Sequence, residues 1–187
     1  MESGPSVMPA PFALQFLEDL AVIRARIAVT GPDGAVLDLS RGLAGTIELV
    51  EATCKGGRKL IFIGNGGSAA IASHQAVDYW KNGGLPALAF NDASLLTCIS
   101  NDFGYDRVFA EPITRFAGEG DLLVAISSSG RSPNILAGVE AARDRKCGVV
   151  TLSGFSKSNP LRLLGDVNFH VPSDSYGVVE ITHLTLL

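Results

Sequence analysis

Five short apolar runs constrain this chain most strongly: residues 60–63, 86–90, 122–126, 149–152 and 167–171. Most of them do not alternate with polar residues, which suits strands covered on both faces. Segments of helix length separate them, at about 67–80, 93–101, 105–117 and 132–145, with a shorter one near 159–164. Strands alternating with helices imply βαβ units and a parallel sheet flanked by helices on both faces. Two helices are predicted ahead of the first strand. Phe12, Phe16, Leu17, Leu20, Ile23 and Ile27 recur at helical spacing and place one helix from residue 12 to about 29. After a turn at 30–34, a second runs from 39 to 54 and is stopped by Gly56 and Gly57. Residues 1–11, rich in Pro, Gly and Ser, read as a loose tail. From Tyr176 the pattern is a helix whose apolar residues continue to Leu187 with no stop signal, so the expectation is a last helix cut short there.

Composition narrows the class. The 187 residues suit one compact domain, 12–187 after the tail. A hydrophobic fraction of 47% with 18% charged residues excludes a disordered chain. A net charge of −4 argues against direct nucleic-acid binding. No apolar run reaches the roughly 18 residues of a membrane span. Cys54, Cys98 and Cys147 are scattered and odd in number, which reads as reduced, mostly buried thiols, and no secretory signal opens the chain. A cytoplasmic location is the expectation. The low charge also suggests apolar surface buried between subunits.

Two turns carry the chemistry. Gly64-Asn65-Gly66-Gly67-Ser68 follows a strand and opens a helix. Free N–H groups and the positive dipole end of a helix favour an anion there. Gly64, Gly66 and Ala69 also fit a dinucleotide fingerprint, but that pattern wants an acid about 20 residues on, and Asp92 comes late. The second turn, Ser127-Ser128-Ser129-Gly130-Arg131-Ser132-Pro133-Asn134, also joins a strand to a helix, with Ser132 at the N-cap and Pro133 at the first helical position. One serine satisfies a cap; four suit a phosphate held without lysine or metal. Both turns lie at the carboxyl edge of a parallel sheet, where ligands bind. A sugar phosphate and a mononucleotide both fit that description, so the turns alone leave the ligand open.

The motifs in order, Gly64–Ser68 with His74 six residues later, Asn101-Asp102-Phe103-Gly104-Tyr105, Gly120-Asp121-Leu122, the serine turn and Val171-Pro172-Ser173-Asp174, resemble sugar isomerase (SIS) domains. The resemblance spans about residues 12–187 and is to the phosphoheptose isomerase branch. It implies a five-stranded parallel sheet in a three-layer sandwich, a homotetramer joined through N-terminal helices, and active sites between subunits. It implies conversion of sedoheptulose 7-phosphate to glycero-manno-heptose 7-phosphate, a step of heptose and lipopolysaccharide metabolism. By the same resemblance Ser127, Ser129 and Ser132 hold the phosphate, with Asn65, Gly66 and Ser68 at the first turn and Asp102 near the sugar. Some members bind zinc, which places His74, Asp78 and Glu180 as metal ligands; no nucleotide cofactor is implied.

Two positions depart from the family pattern. Asp78 stands where the family base is Glu, and Glu180 where the family has Gln; the family acid falls at position 188. Isomerisation through an enediol needs a base for a carbon-bound proton and an acid at the carbonyl oxygen. His74 and Asp78, at i and i+4, share one helix face, a spacing that suits a two-ligand metal site or a base with its partner; the resemblance implies Asp78 as the base and His74 as its partner or a metal ligand. The rival expectations are a non-catalytic sugar-phosphate-binding regulator, such as the relative that binds the replication initiator, and, more weakly, a dinucleotide-binding domain. His183 and His170 read as packed histidines; Arg131 suits either a phosphate contact or solvent.

Overall fold

The computed structural model describes residues 10–187. Most of the expected N-terminal tail therefore lies outside the described residues, and its last two, Ala10 and Pro11, already belong to helix α1 (Ala10–Ile23). The strands are β1 (Ala28–Thr30), β2 (Val36–Leu37), β3 (Leu60–Gly64), β4 (Ala87–Ala89), β5 (Leu122–Ser127), β6 (Gly148–Gly154) and β7 (Val167–Val171). The remaining helices are α2 (Leu39–Lys55), α3 (Gly67–Lys81), α4 (Ala93–Phe103), α5 (Ala110–Phe116), α6 (Pro133–Asp144) and α7 (Tyr176–Leu186).

One sheet runs β2-β1-β7-β6-β5-β3-β4. Its five strands from β7 to β4 are mutually parallel and fall on the five apolar runs. The sheet has seven strands rather than the five expected, because β1 pairs antiparallel with both β2 and β7. The predicted helix from residue 12 stops at Ile23 instead of continuing to Val29. Val29 is buried opposite Phe169, and a β-branched pair at Val29 and Thr30 suits a strand better than a helix end. The turn at 30–34 is where the chain reverses into β2, with Asp33 and Gly34 both at positive φ. Strands this short are below the length at which alternation can be read.

The absence of alternation in β3 and β5 has a direct cause: every residue of both strands is buried. Leu60 and Phe62 pack on one side with α2 and α3, through Leu43, Ile71, Ala72 and Ala76. Ile61 and Ile63 pack on the other with α4, α5 and α6, through Ile99, Ile113, Ile135 and Val139. A third cluster joins α1 to α7 through Ile23, Val178 and Val179. Of the cysteines, Cys147 is buried and Cys54 half-buried, whereas Cys98 is exposed. Among the described residues no helix is long and apolar enough to cross a membrane.

In-register parallel pairing aligns the ends of β3, β5 and β6: Gly64 opposes Ile126, and Ser127 opposes Ser153. The two turns therefore leave the sheet side by side.

Candidate active site

A cavity of about 250 Å³ opens between them. Asn65, Gly66, Gly67 and Ser68 line it from the first turn, Ser127, Ser128, Ser129 and Ser132 from the second, and Tyr176 and Glu180 from α7.

Two of the helix ends beside it, like that of α5, lack a side-chain cap. Asp38, Asp92 and Ser175 cap α2, α4 and α7 with side-chain hydrogen bonds. The N-caps of α3 and α6, Gly66 and Ser132, supply none. The first N–H groups of a helix have no partner within it and must find one outside. At α3 these donors, on Gly67 and Ser68, stand at the cavity, which suits an anionic ligand; α6 opens instead on Pro133, which has no N–H, and the Ile135 amide donates to Asn134 Oδ1 at 3.0 Å. Ser132 occupies the expected N-cap position, but its hydroxyl lies 3.3 Å from that of Ser127 rather than capping the helix. The Ser127 hydroxyl accepts from the Gly130 amide at 3.1 Å, and the Ser129 hydroxyl from the Arg131 amide at 3.2 Å, so each keeps its proton to donate. Ser128 Oγ is buried with no hydrogen-bond partner among the described residues.

A pair of amides joins the two turns. Asn65 and Asn134 exchange hydrogen bonds, each Nδ2 donating to the other's Oδ1 at 2.9 Å. Tyr105 also donates its hydroxyl proton to Asn65 Oδ1, at 3.1 Å. Asn134 and Tyr105 were visible in the sequence motifs, but without roles. Tyr176 and Gly67 were missed as lining residues. The i, i+4 spacing of Tyr176 from Glu180 was the available signal for the first; for the second it was the position of Gly67 at the start of α3.

Behind the serine turn lies a buried polar layer. Asn159 donates to Ser153 Oγ at 3.2 Å and to the Ser156 carbonyl at 2.9 Å, and packs against Gly130, which adopts a φ of +60°. His183, wholly buried inside the chain, is 3.1 Å from the Ser153 carbonyl through Nε2. Burial pushes its imidazole down to about 4, against the opposing effect of that carbonyl, with His170 nearby reinforcing the fall. It is therefore neutral near pH 7 and donates through Nε2. His170 is likewise buried, in β7.

The expected residues divide. Asn65, Gly66, Ser68, Ser127, Ser129, Ser132 and Glu180 come together around the cavity. Asp102 does not: it is exposed at the end of α4, accepting from Asn101 at 2.8 Å. His74 and Asp78 form the expected pair, Nε2 to Oδ2 3.3 Å, but on the outer face of α3, with side chains 60% and 41% exposed. Arg131 turns to the Ser158 carbonyl and does not line the cavity.

The proposed metal set does not converge within one chain. Glu180 lies against Gly67, the first residue of α3, so closely that a methyl group at Gly67 would collide with its carboxylate. His74 is seven residues further along, about 10 Å at the rise of an α-helix. Among the described residues no group of three His, Cys, Asp or Glu side chains is placed to hold an ion.

Asp92 is the late acid of the dinucleotide pattern. It caps α4, accepting from the Leu95 amide at 3.0 Å, and does not line the cavity.

Residues 35–154 match the SIS domain. The chain belongs to the SIS-domain family. It is 41% identical over 177 residues to a phosphoheptose isomerase of Solidesulfovibrio magneticus, covering 91% of this chain and 82% of that one. A phosphoheptose isomerase of Geobacter sulfurreducens is 39% identical over 80% of this chain and 84% of its own length. The solved phosphoheptose isomerase of Neisseria gonorrhoeae superposes with a TM-score of 0.81 at 30% identity, covering 94% of this chain and 93% of that one. That of Francisella tularensis gives 0.80 at 26%, covering 96% and 94%. Within the SIS-domain family the chain is placed among the phosphoheptose isomerases.

Proposed function

We propose that this chain is an aldose–ketose isomerase acting on a phosphorylated heptose, interconverting sedoheptulose 7-phosphate and glycero-manno-heptose 7-phosphate. The observation that carries this reading is the cavity where the uncapped N-terminus of α3 meets four serines. Hydroxyls of Ser127, Ser129 and Ser132 bind the phosphate, facing the N-terminal amides of α3 across the cavity. Asn65 and Ser68 line the sugar's path at the first turn. The sugar opens to its chain form, a proton leaves C1, and an enediol takes one back at C2.

Asp78 as base, with His74 beside it, would reach a cavity only in a neighbouring copy, since both face outward. Exposed apolar side chains support such association: Phe12, Leu14 and Leu17 on α1, and Val77 and Trp80 on α3. A homotetramer with sites between subunits is therefore part of the reading, as is a cytoplasmic location. Zinc would need donors from more than one copy, and no step above is drawn through it.

Incubating the protein with sedoheptulose 7-phosphate in deuterium oxide tests this by NMR. The expected result is appearance of the aldose with deuterium at C2 or, by reversal, at C1 of the ketose. The outward placement of His74 and Asp78 favours one alternative, a sugar-phosphate-binding regulator. Thermal stabilisation by the sugar phosphate without turnover or exchange would select it.

A further inference from the structure

We infer that Tyr105 is a positioning residue of this site: its hydroxyl holds the Asn65 amide so that Asn65 offers the sugar a hydrogen-bond donor and no acceptor. The inference rests on the sugar-phosphate ligand of the reading above, in which Tyr105 has no part. It concerns how the sugar is held, and it stands whichever copy supplies the base.

The hydrogen-bond chain begins at a backbone group. The Ile135 amide is a donor in any arrangement, and it faces the Asn134 side chain at 3.0 Å, so the atom it meets is the oxygen, Oδ1. The other end of the Asn134 amide is then Nδ2, a donor, and its partner at 2.9 Å on Asn65 is Oδ1. Asn65 Nδ2 gives one proton back to Asn134 Oδ1, also at 2.9 Å. Turning the Asn65 amide over would set nitrogen against nitrogen and oxygen against oxygen. Asn134 is buried, so little water reaches it to repair such a mismatch.

Tyr105 adds a third bond, from a separate element. Asn65 Oδ1 has two lone pairs. Asn134 fills one, and the Tyr105 hydroxyl fills the other at 3.1 Å. One Nδ2 proton remains, without a partner among the described residues, on a residue that lines the cavity. Any sugar oxygen, carbonyl or hydroxyl, can accept it. Without the Tyr105 hydroxyl, Oδ1 regains an open acceptor site, and water or a sugar hydroxyl can draw the amide towards it. The local sequence serves this contact. Helix α4 ends at Phe103, and Gly104, at a φ of +93° that residues with a side chain rarely adopt, redirects the chain into a short turn, Tyr105–Arg107. A methyl group on Gly104 would also fall 2.8 Å from Asp106 Oδ1. The Gly104-Tyr105 half of the Asn101–Tyr105 motif thereby gains a task that phosphate binding does not give it.

The test is a double-mutant cycle of Tyr105→Phe and Asn65→Ala, which shows whether one residue acts through the other. Tyr105→Phe keeps the ring and removes only the hydroxyl. Apparent affinity for sedoheptulose 7-phosphate, equilibrated with its aldose wherever the protein turns it over, is read from thermal stabilisation. Inorganic phosphate, measured in the same way, reports the fold and the serine turn. Tyr105→Phe is expected to weaken the sugar phosphate about fivefold and inorganic phosphate less than about twofold. In the Asn65→Ala background the same change should weaken the sugar phosphate less than about twofold. A Tyr105→Phe protein that holds the sugar phosphate as the parent does, or loses as much in the Asn65→Ala background, overturns the positioning role. So does an equal loss for both ligands, the mark of a merely structural residue. The expected cycle in a parent chain that neither turns over the sugar phosphate nor exchanges deuterium supports the positioning role and overturns the isomerase reading alone.

Discussion

The two turns that make the cavity are built from different materials. The turn after β3 is made of glycines, of which Gly64 and Gly67 are packed hard against their surroundings while Gly66 has open space and a φ of +56°. A methyl group at Gly64 would come within 2.5 Å of the Ser68 backbone, and one at Gly67 would strike Glu180. The turn after β5 is made of serines whose hydroxyls face a ligand, and it is braced from behind by Asn159, Ser153 and His183. The difference teaches how to read a glycine pattern. In the spacing of Gly64, Gly66 and Ala69 that imitates a dinucleotide site, Gly64 answers to close packing of strand on helix and Gly66 to a positive φ. The side-chain hydroxyls that suit a phosphate sit mostly in the turn with the less distinctive backbone.

The largest expected effect concerns the bracing. His183 is neutral in the fold with its imidazole pushed down to about 4, while an unfolded imidazole protonates near 6.5. Its contribution to stability is full above pH 6.5. It is lost as the pH falls from there towards 4, by up to about 3 kcal/mol, and changes no further below that. Urea unfolding across this range should show the slope in the parent and a shallower one in His183→Gln. Equal slopes would mean that the serine turn is not braced this way. Next comes Gly64→Ala, which pushes a methyl into backbone that has no flexible end to yield. A loss of about 2 kcal/mol is expected in the same unfolding assay; a neutral result would remove packing as the reason for the glycines.

On the serine side the effect should appear in binding instead. Ser127→Ala and Ser132→Ala each remove a donor to a charged phosphate, so KM for the sugar phosphate should rise about tenfold with kcat less affected. If stability falls and KM does not move, the contrast between the turns collapses. Smallest is His74→Ala on the outer face of α3. An exposed pair of this kind contributes less than about 0.5 kcal/mol to stability, and thermal unfolding of the isolated chain should barely change.

Much of this architecture is legible in the residues. The five parallel strands coincide with five apolar runs, because strands covered on both faces leave an uninterrupted signature. The motif residues of both turns do meet at one cavity, since parallel strands in register bring their carboxyl ends together. The missing parts have physical reasons. β1 and β2 are three and two residues long, too short for a period to show. Within one chain Glu180 stands apart from His74 and Asp78 along α3, a distance that a residue-type pattern does not encode. Spacing along α3 did pair His74 with Asp78, yet it could not say that their shared face looks outward.

The short hairpin of β1 and β2 has a consequence for how the chain can be divided. The SIS match covers residues 35–154, whereas β1 pairs with β7, and both lie outside it. Cutting the chain at the limits of that match would strip β7 from β6 and leave the full-length backbone edge of β6 bare. An unpaired, apolar edge recruits strands from other molecules. The segments outside that match are therefore the ones that cover the edge of β6.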